Sequence, residues 1–336
     1  MDNWYLHVRP IPDNSSTDLA VITEDGLLSL AVVLGSSLSL VGLVFAFITY
    51  SLFSDLRSVA GTTLMNLLAS LFLTQLLYVV GAGGVQAADL CVSLALALHY
   101  SRLTVVSWLL AATHDLYRTV KSQVGMIDCP PPSLLSSFLK YSLLGWGLPA
   151  LLLACAVFIQ DYDGIGESGA TQLRRHNCWF TSNRSFFTAF VLPYWIILAV
   201  TIYYIVRGAM AIRWAAAFAP SKKAQEKLTR RRKLQLMLFV RILVFLTLII
   251  MAGAASVIFG SNLAFIVYSC GQAIQGILIA LAVCCNCQIL KLYTRSIQVA
   301  GQQVATAMTT YGSSGQELSK SASLQLLTWD RNPDSV

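Results

Sequence analysis

CVSLALALHYSRLTVVSWLLAATHDLY, residues 91–117, decides how the rest of the chain is read. The run is long enough to cross about 30 Å of hydrocarbon with some tilt, yet Arg102 stands near its middle, where an isolated charge is costly. A guanidinium at that depth needs protein around it, so the segment belongs inside a helical bundle. Its first residue is Cys91, and only one other cysteine, Cys178, falls in a segment that the topology below places on the same side of the membrane. The two are read as a disulfide that ties the head of this helix to a later loop and limits that loop's motion.

Of the 336 residues, 56% are hydrophobic and 12% are charged. Mean hydropathy is +0.65, which leaves too little polar surface to cover a soluble globule. The net charge of +7 raises nucleic acid as a partner. Lys and Arg gather instead in short segments between apolar runs, without a basic stripe interleaved with aromatics, so no nucleic-acid partner is expected. The eight cysteines do not form a secreted scaffold, because Cys155, Cys270, Cys284 and Cys285 lie within or at the ends of apolar runs. Cys284, Cys285 and Cys287 are too close together, and lack histidine partners, for a metal site. No cofactor is expected. MDNWYLHVRPIPDN has no apolar core of a cleavable signal peptide, so the first span is expected to serve as its own insertion signal.

Seven apolar runs, near residues 27–52, 62–82, 88–115, 137–159, 186–212, 236–259 and 263–285, each approach the ~20 residues that span hydrocarbon. The predicted fold is an all-α membrane protein, a seven-transmembrane helix bundle with a short amphipathic helix after the seventh span. Residues 1–26 form a short extracellular tail, 27–285 the bundle, 286–300 the juxtamembrane amphipathic helix and 301–336 a disordered cytoplasmic tail rich in Ser, Gly, Gln and Thr. Charge sets the orientation. With the N-terminus outside, the inner segments hold Arg57, Arg118, Lys121, Arg213, the cluster Lys222 to Lys233, Lys291 and Arg295, against Arg9, Arg174, Arg175 and Arg184 outside. The sequons at Asn14 and Asn183 both fall outside on the same assignment, which makes them expected glycosylation sites in the plasma membrane. Cys284, Cys285 and Cys287, at the start of the amphipathic helix, are palmitoylation candidates that would pin it to the inner leaflet.

Several function classes fail on their chemistry. Residues 263–285 contain no lysine for a retinal Schiff base. Asp and Glu appear confined by the pattern to loops and helix ends, with no internal repeat, which weighs against a transporter or pump. No HExxH, GxSxG or intramembrane aspartate pair is present, so the chain is not expected to be an enzyme. What remains is a bundle that responds to something outside and shows a basic face inside.

Here the sequence resembles a known family. LRSVAGTTLMNLLASLFLTQLLYVVG (56–81) is similar to the second helix of adhesion and Methuselah-like receptors, in the secretin-like class of G-protein-coupled receptors. Trp108 followed by Leu116-Tyr117-Arg118 resembles that class's third helix, and GWGLPA (145–150) after Lys140 and Tyr141 its fourth. Cys178-Trp179 is similar to the second outer loop, and Gln275-Gly276 with Cys284 and Asn286 to the seventh helix. The likeness runs over roughly residues 27–295 and implies a heterotrimeric G protein as partner, membrane lipid around the bundle and an extracellular or tethered ligand. The G-protein face would comprise Lys227, Arg230, Arg231, Arg232 and Lys233, with Arg57, Arg118, Arg241 and Lys291 beside it; the same charges also suit anionic lipid. His99, Arg102 and Gln272, polar at membrane depth, are candidates for a ligand or activation site, with Trp108, Trp179 and Gln275. The indoles also suit plain packing, and Gly145, Gly147 and Pro149 suit close helix approach and a bend.

The chain departs from the resembled pattern in places. Leu64 stands where a histidine is usual and Ala112 where a glutamate is usual, so the implied polar lock at the inner end is missing. The sixth helix has neither the usual proline nor the usual tryptophan; Val257 stands near the latter position and Gly253 is its evident weak point. SSTDLAVIT (15–23) resembles a tethered agonist, with Thr17, Leu19, Ala20 and Val21 in its parts, although a plain linker is the simpler reading. A transporter or channel, and a non-signalling scaffold or truncated receptor partner, remain the alternatives. The terminal Asp334-Ser335-Val336 suits a PDZ-type groove.

Overall fold

The computed structural model describes residues 19–52, 58–82, 88–123, 134–163, 187–218, 222–259, 262–284 and 298. Met1–Asn286 form one compact unit and Cys287–Val336 another, of which only Gln298, helical, is described. The expected amphipathic helix, apart from Gln298, lies outside the described residues, as do Lys291, Cys285 and Cys287. So do Asn14, Thr17, Arg57, Cys178, Trp179 and Asn183.

Within the first unit, seven helices are long and apolar enough to cross a membrane: Leu30–Leu52, Val59–Gly81, Val92–Ser122, Ser136–Phe158, Phe187–Ala217, Thr229–Ser256 and Leu263–Cys284. These match the seven apolar runs. The third is the axis of the bundle. Its central window is 83% buried, against 22–50% for the others, and it packs on the second, fourth, fifth and sixth spans. A helix enclosed by protein can carry polar residues, provided their hydroxyls return to its own carbonyls. Ser101 donates to Leu98 (3.1 Å), Thr104 to Tyr100 (2.8 Å) and Thr113 to Leu110 (2.9 Å).

The first span closes against the seventh along a seam of small residues. Lipid supplies no hydrophobic drive between helices, so association rests on close backbone approach. A Cβ on Gly35 would stand 3.1 Å from that of Ala273, one on Gly42 3.3 Å from that of Ala280, and one on Gly276 2.7 Å from that of Ser39. Ser39 enters the seventh helix's ladder. Its hydroxyl donates to the Ala273 carbonyl at 2.5 Å and accepts from the Ile277 amide at 3.2 Å, between two groups that an undisturbed helix would join directly.

The fourth span changes pitch. An α-helix over Leu134–Ser142 gives way to π geometry at Leu143–Gly147, where the Leu148 amide reaches back to the Leu143 carbonyl, and α-helix resumes over Leu148–Asp163. Pro149 has no N–H to offer the carbonyl four residues back, which favours such a bulge at this point. Against it lies Trp108, fully buried, with its ring edge-on to Trp146 at 5.9 Å. The fifth span also begins with a π turn, Phe187–Val191.

Helix ends differ from the hydropathy limits. The first helix begins at Leu19, so Leu19, Ala20 and Val21, expected in the tail, are helical. The third runs on to Gln123. The connection expected over residues 213–235 is itself mostly helix: Leu192–Phe218 and Lys222–Ile258 leave three residues between them. Hydropathy marks where hydrocarbon stops, whereas a helix continues wherever propensity allows because its backbone bonds are internal, and KKAQEKL is rich in helix formers. The same long sixth helix passes through Gly253 without a break.

A Cβ on Gly145 would lie 2.3 Å from Trp108 Cε2, an overlap with a rigid ring, whereas one on Gly147 would meet only a Leu143 methyl at 3.1 Å. Gly145→Ala should therefore destabilise the bundle by about 1–3 kcal/mol or more, and Gly147→Ala by well under that. Thermal unfolding of the purified variants checks the ranking; equal midpoints would contradict it.

Candidate functional site

The ends of the bundle differ in charge. The first turns of the sixth helix, with Arg230, Arg231 and Lys233 exposed, mark a basic end; the starts of the third and seventh spans mark the opposite one.

Arg102 lies midway along the third span with 6% of its surface exposed. Its guanidinium donates to the Tyr268 hydroxyl of the seventh span at 2.6 Å and stands 5.9 Å from the centre of the same ring. The other side of the Tyr268 ring rests on the sixth span. A Cβ on Gly253 would come within 3.0 Å of Tyr268 Cδ2, so the glycine is a seat for the ring. Three helices thus meet through one arginine, one tyrosine and one glycine.

Toward the basic end from this clasp lies a narrow cavity of about 20 Å³. Its polar lining comes from Thr74, Arg102, Tyr194, Gln272 and Gln275, and its apolar lining from Val105 and the sixth span. The space admits an ordered water and no bulky group. Gln75 runs nearby from the second span, donating to Ser36 at 2.8 Å and, more weakly, to the Ala273 carbonyl at 3.4 Å. Of the residues singled out in the sequence, Arg102, Gln272 and Gln275 share this cavity. His99 is fully buried one turn earlier and meets Phe190 edge-on at 5.2 Å. Trp108 packs on the fourth span and is not among the cavity's lining residues.

The basic end carries a polar cluster that hydropathy hides. Leu64 and Ala112 are buried and apolar, but Asp115, one turn beyond Ala112, is buried too and faces Arg232 of the sixth helix, Arg118 of its own helix and Tyr141 of the fourth. His114 Nδ1 stands 3.0 Å from the Tyr141 hydroxyl and its ring meets Tyr204 edge-on at 4.9 Å. An acidic residue expected at a helix end is therefore inside the bundle, because the third helix continues past it. Asp115 and Arg118 share a helix face at i, i+3 spacing, and that spacing is the signal that points to the cluster. On the rim, Arg207 donates to Tyr117 at 3.4 Å and lies over the Tyr203 ring at 5.8 Å. Arg241 is exposed deeper along the sixth span, and of Lys227 only the helical backbone is described. Cys284 is half-buried at the last residue of the seventh helix, and Cys91 belongs to the third helix. Among the described residues, no group of three His, Cys, Asp or Glu side chains is arranged to hold a metal.

Residues 25–279 match the family described as 7 transmembrane receptor (Secretin family). A stretch of 157 residues, 47% of this chain, is 32% identical to Cadherin EGF LAG seven-pass G-type receptor 1 of Mus musculus and covers 5% of that protein. A stretch of 200 residues, 58% of the chain, is 28% identical to Adhesion G-protein coupled receptor G4 of Homo sapiens and covers 6% of it. A third similarity, 27% over 181 residues, is to Adhesion G protein-coupled receptor E2 of Canis lupus familiaris, covering 53% of this chain and 20% of that one. The chain thus spans a fifth or less of the length of these relatives.

Tyr268→Phe removes the acceptor that Arg102 holds while keeping the ring on Gly253. It should cost about 1.5–3 kcal/mol, as expected for a hydrogen bond to a charged group. Combined with Arg102→Gln, the loss in thermal stability should fall short of the sum of the two single losses; strict additivity would contradict the pairing.

Proposed function

The chain belongs to the secretin family of seven-transmembrane receptors, and from that premise we propose that it carries an extracellular or tethered stimulus to a heterotrimeric G protein, with its N-terminus outside the plasma membrane. One observation carries the reading: the sixth helix is unbroken from Lys222 to Ile258. Near one end Gly253 seats the ring that Arg102 holds; at the other stand Arg230, Arg231 and Lys233. An unbroken helix carries a tilt from one end to the other, so a ligand that loosens the clasp displaces the basic end. The two states need different affinities for that ligand, or nothing shifts.

In this scheme the polar groups around Arg102, Gln272 and Gln275, with His99 and Trp179, receive the stimulus, and Trp108 holds the third span on the fourth. Thr17, Leu19, Ala20 and Val21 are the tethered candidate, which at high effective concentration needs no diffusing ligand. Asp115, facing Arg232, holds the sixth helix to the third in the resting state. This contact takes the place of the polar lock that Leu64 and Ala112 cannot form. The G protein meets Lys227, Arg230, Arg231, Arg232 and Lys233, flanked by Arg57, Arg118, Arg241 and Lys291. Cys91 pairs with Cys178, Asn14 and Asn183 carry glycans, and Cys284, Cys285 and Cys287 carry palmitate.

Nucleotide exchange on each G-protein class, driven by membranes containing the full chain, tests the reading. Activity should fall at least several-fold when Arg230, Arg231 and Lys233 are changed together to Gln, at equal surface level, and should rise above basal in Asp115→Asn. Silence of the full chain toward every G-protein class would remove the coupling. For the disulfide, Cys91→Ser and Cys178→Ser should lower surface expression equally, with the double variant no worse; additive losses would argue against pairing.

A further inference from the structure

We infer that the cavity beside Arg102 is a binding site for a small monovalent anion, chloride being the abundant one. Gln272 and Gln275 line it at 4% and 5% exposure, and neither amide has a hydrogen-bond partner among the described residues. The Tyr194 hydroxyl, lining the same space from the fifth span, likewise makes no bond among them. None of their polar atoms is among the fully buried ones left without a partner, so the three groups open onto the cavity and are free to hydrogen-bond an occupant.

The occupant's sign follows from the walls. Arg102 contributes a fixed positive charge, and Tyr268, which it holds, supplies an acceptor and no negative charge. The cavity's lining includes neither Asp nor Glu. Thr74 already donates to the Ser70 carbonyl at 2.8 Å, while both amides and the Tyr194 hydroxyl have protons to offer. A cation would meet a guanidinium at low dielectric; an anion would gain that charge and up to three further donors. The space suits a monatomic ion and excludes a large organic acid. Such an ion touches groups from the third, fifth and seventh spans, so it would stabilise the packed arrangement by simple linkage.

The site uses the same clasp as the receptor reading but does not depend on coupling, and the test needs no G protein. The purified full chain in lipid nanodiscs is unfolded thermally while sodium chloride replaces sodium gluconate at constant ionic strength. The midpoint should rise saturably, by about 2–4 °C, with chloride and with bromide. Gln272→Leu and Gln275→Leu should each abolish the difference between the two anions. Should either variant fail to fold, bromide anomalous scattering from the unaltered protein should place the ion between Arg102 and the two glutamines. Equal midpoints in chloride and gluconate would mean ordered water only and overturn the proposal, as would a rise that never saturates or one that survives both substitutions.

Discussion

A guanidinium halfway along a membrane helix is the constraint around which the bundle is arranged. Arg102 is tolerable only because the third span is enclosed on several sides, and enclosure of that span requires the second, fourth, fifth and sixth to gather round it. The charge is held by a phenol from the seventh span, and that phenol fits only because the sixth span has no side chain at Gly253. Removing any one of the three leaves the other two without their reason to be adjacent. The seam between the first and seventh spans serves the same end from outside, since Ser39 and the glycines fix the helix that carries Tyr268.

The two polar clusters divide the work along the bundle's length. Around Arg102 the groups are neutral donors and one fixed charge, arranged about a space. Near the basic end an acid, arginines, a histidine and tyrosines are packed with their rings in contact. The third helix carries both clusters and the sixth touches both. That arrangement lets a change in one reach the other through backbone that is already rigid, with no chain of side-chain rearrangements.

Much of this is legible in the sequence itself. Hydrocarbon thickness is a strict ruler, so seven runs near 20 residues mark seven spans. Arg102 and Gln272 stand out because polar groups at that depth are rare, Gln275 stands out through its place in the resembled seventh helix, and the cavity brings the three together. What hydropathy misses are features that cost nothing in lipid terms: helices that continue beyond the membrane, as at Leu19, Gln123 and Lys222, and the inward face of Asp115 once its helix is prolonged. Gly253 illustrates a different limit. A glycine in a helix reads equally as a bend or a seat, and only the position of Tyr268 on another span reveals the second role.

The short link between the fifth and sixth helices has a mechanical corollary. With three residues between Phe218 and Lys222, the facing ends of the two rods can separate no farther than so short a stretch of chain reaches. A large displacement of one such end therefore carries the end of its neighbour along, and the two helices share whatever movement the basic end makes.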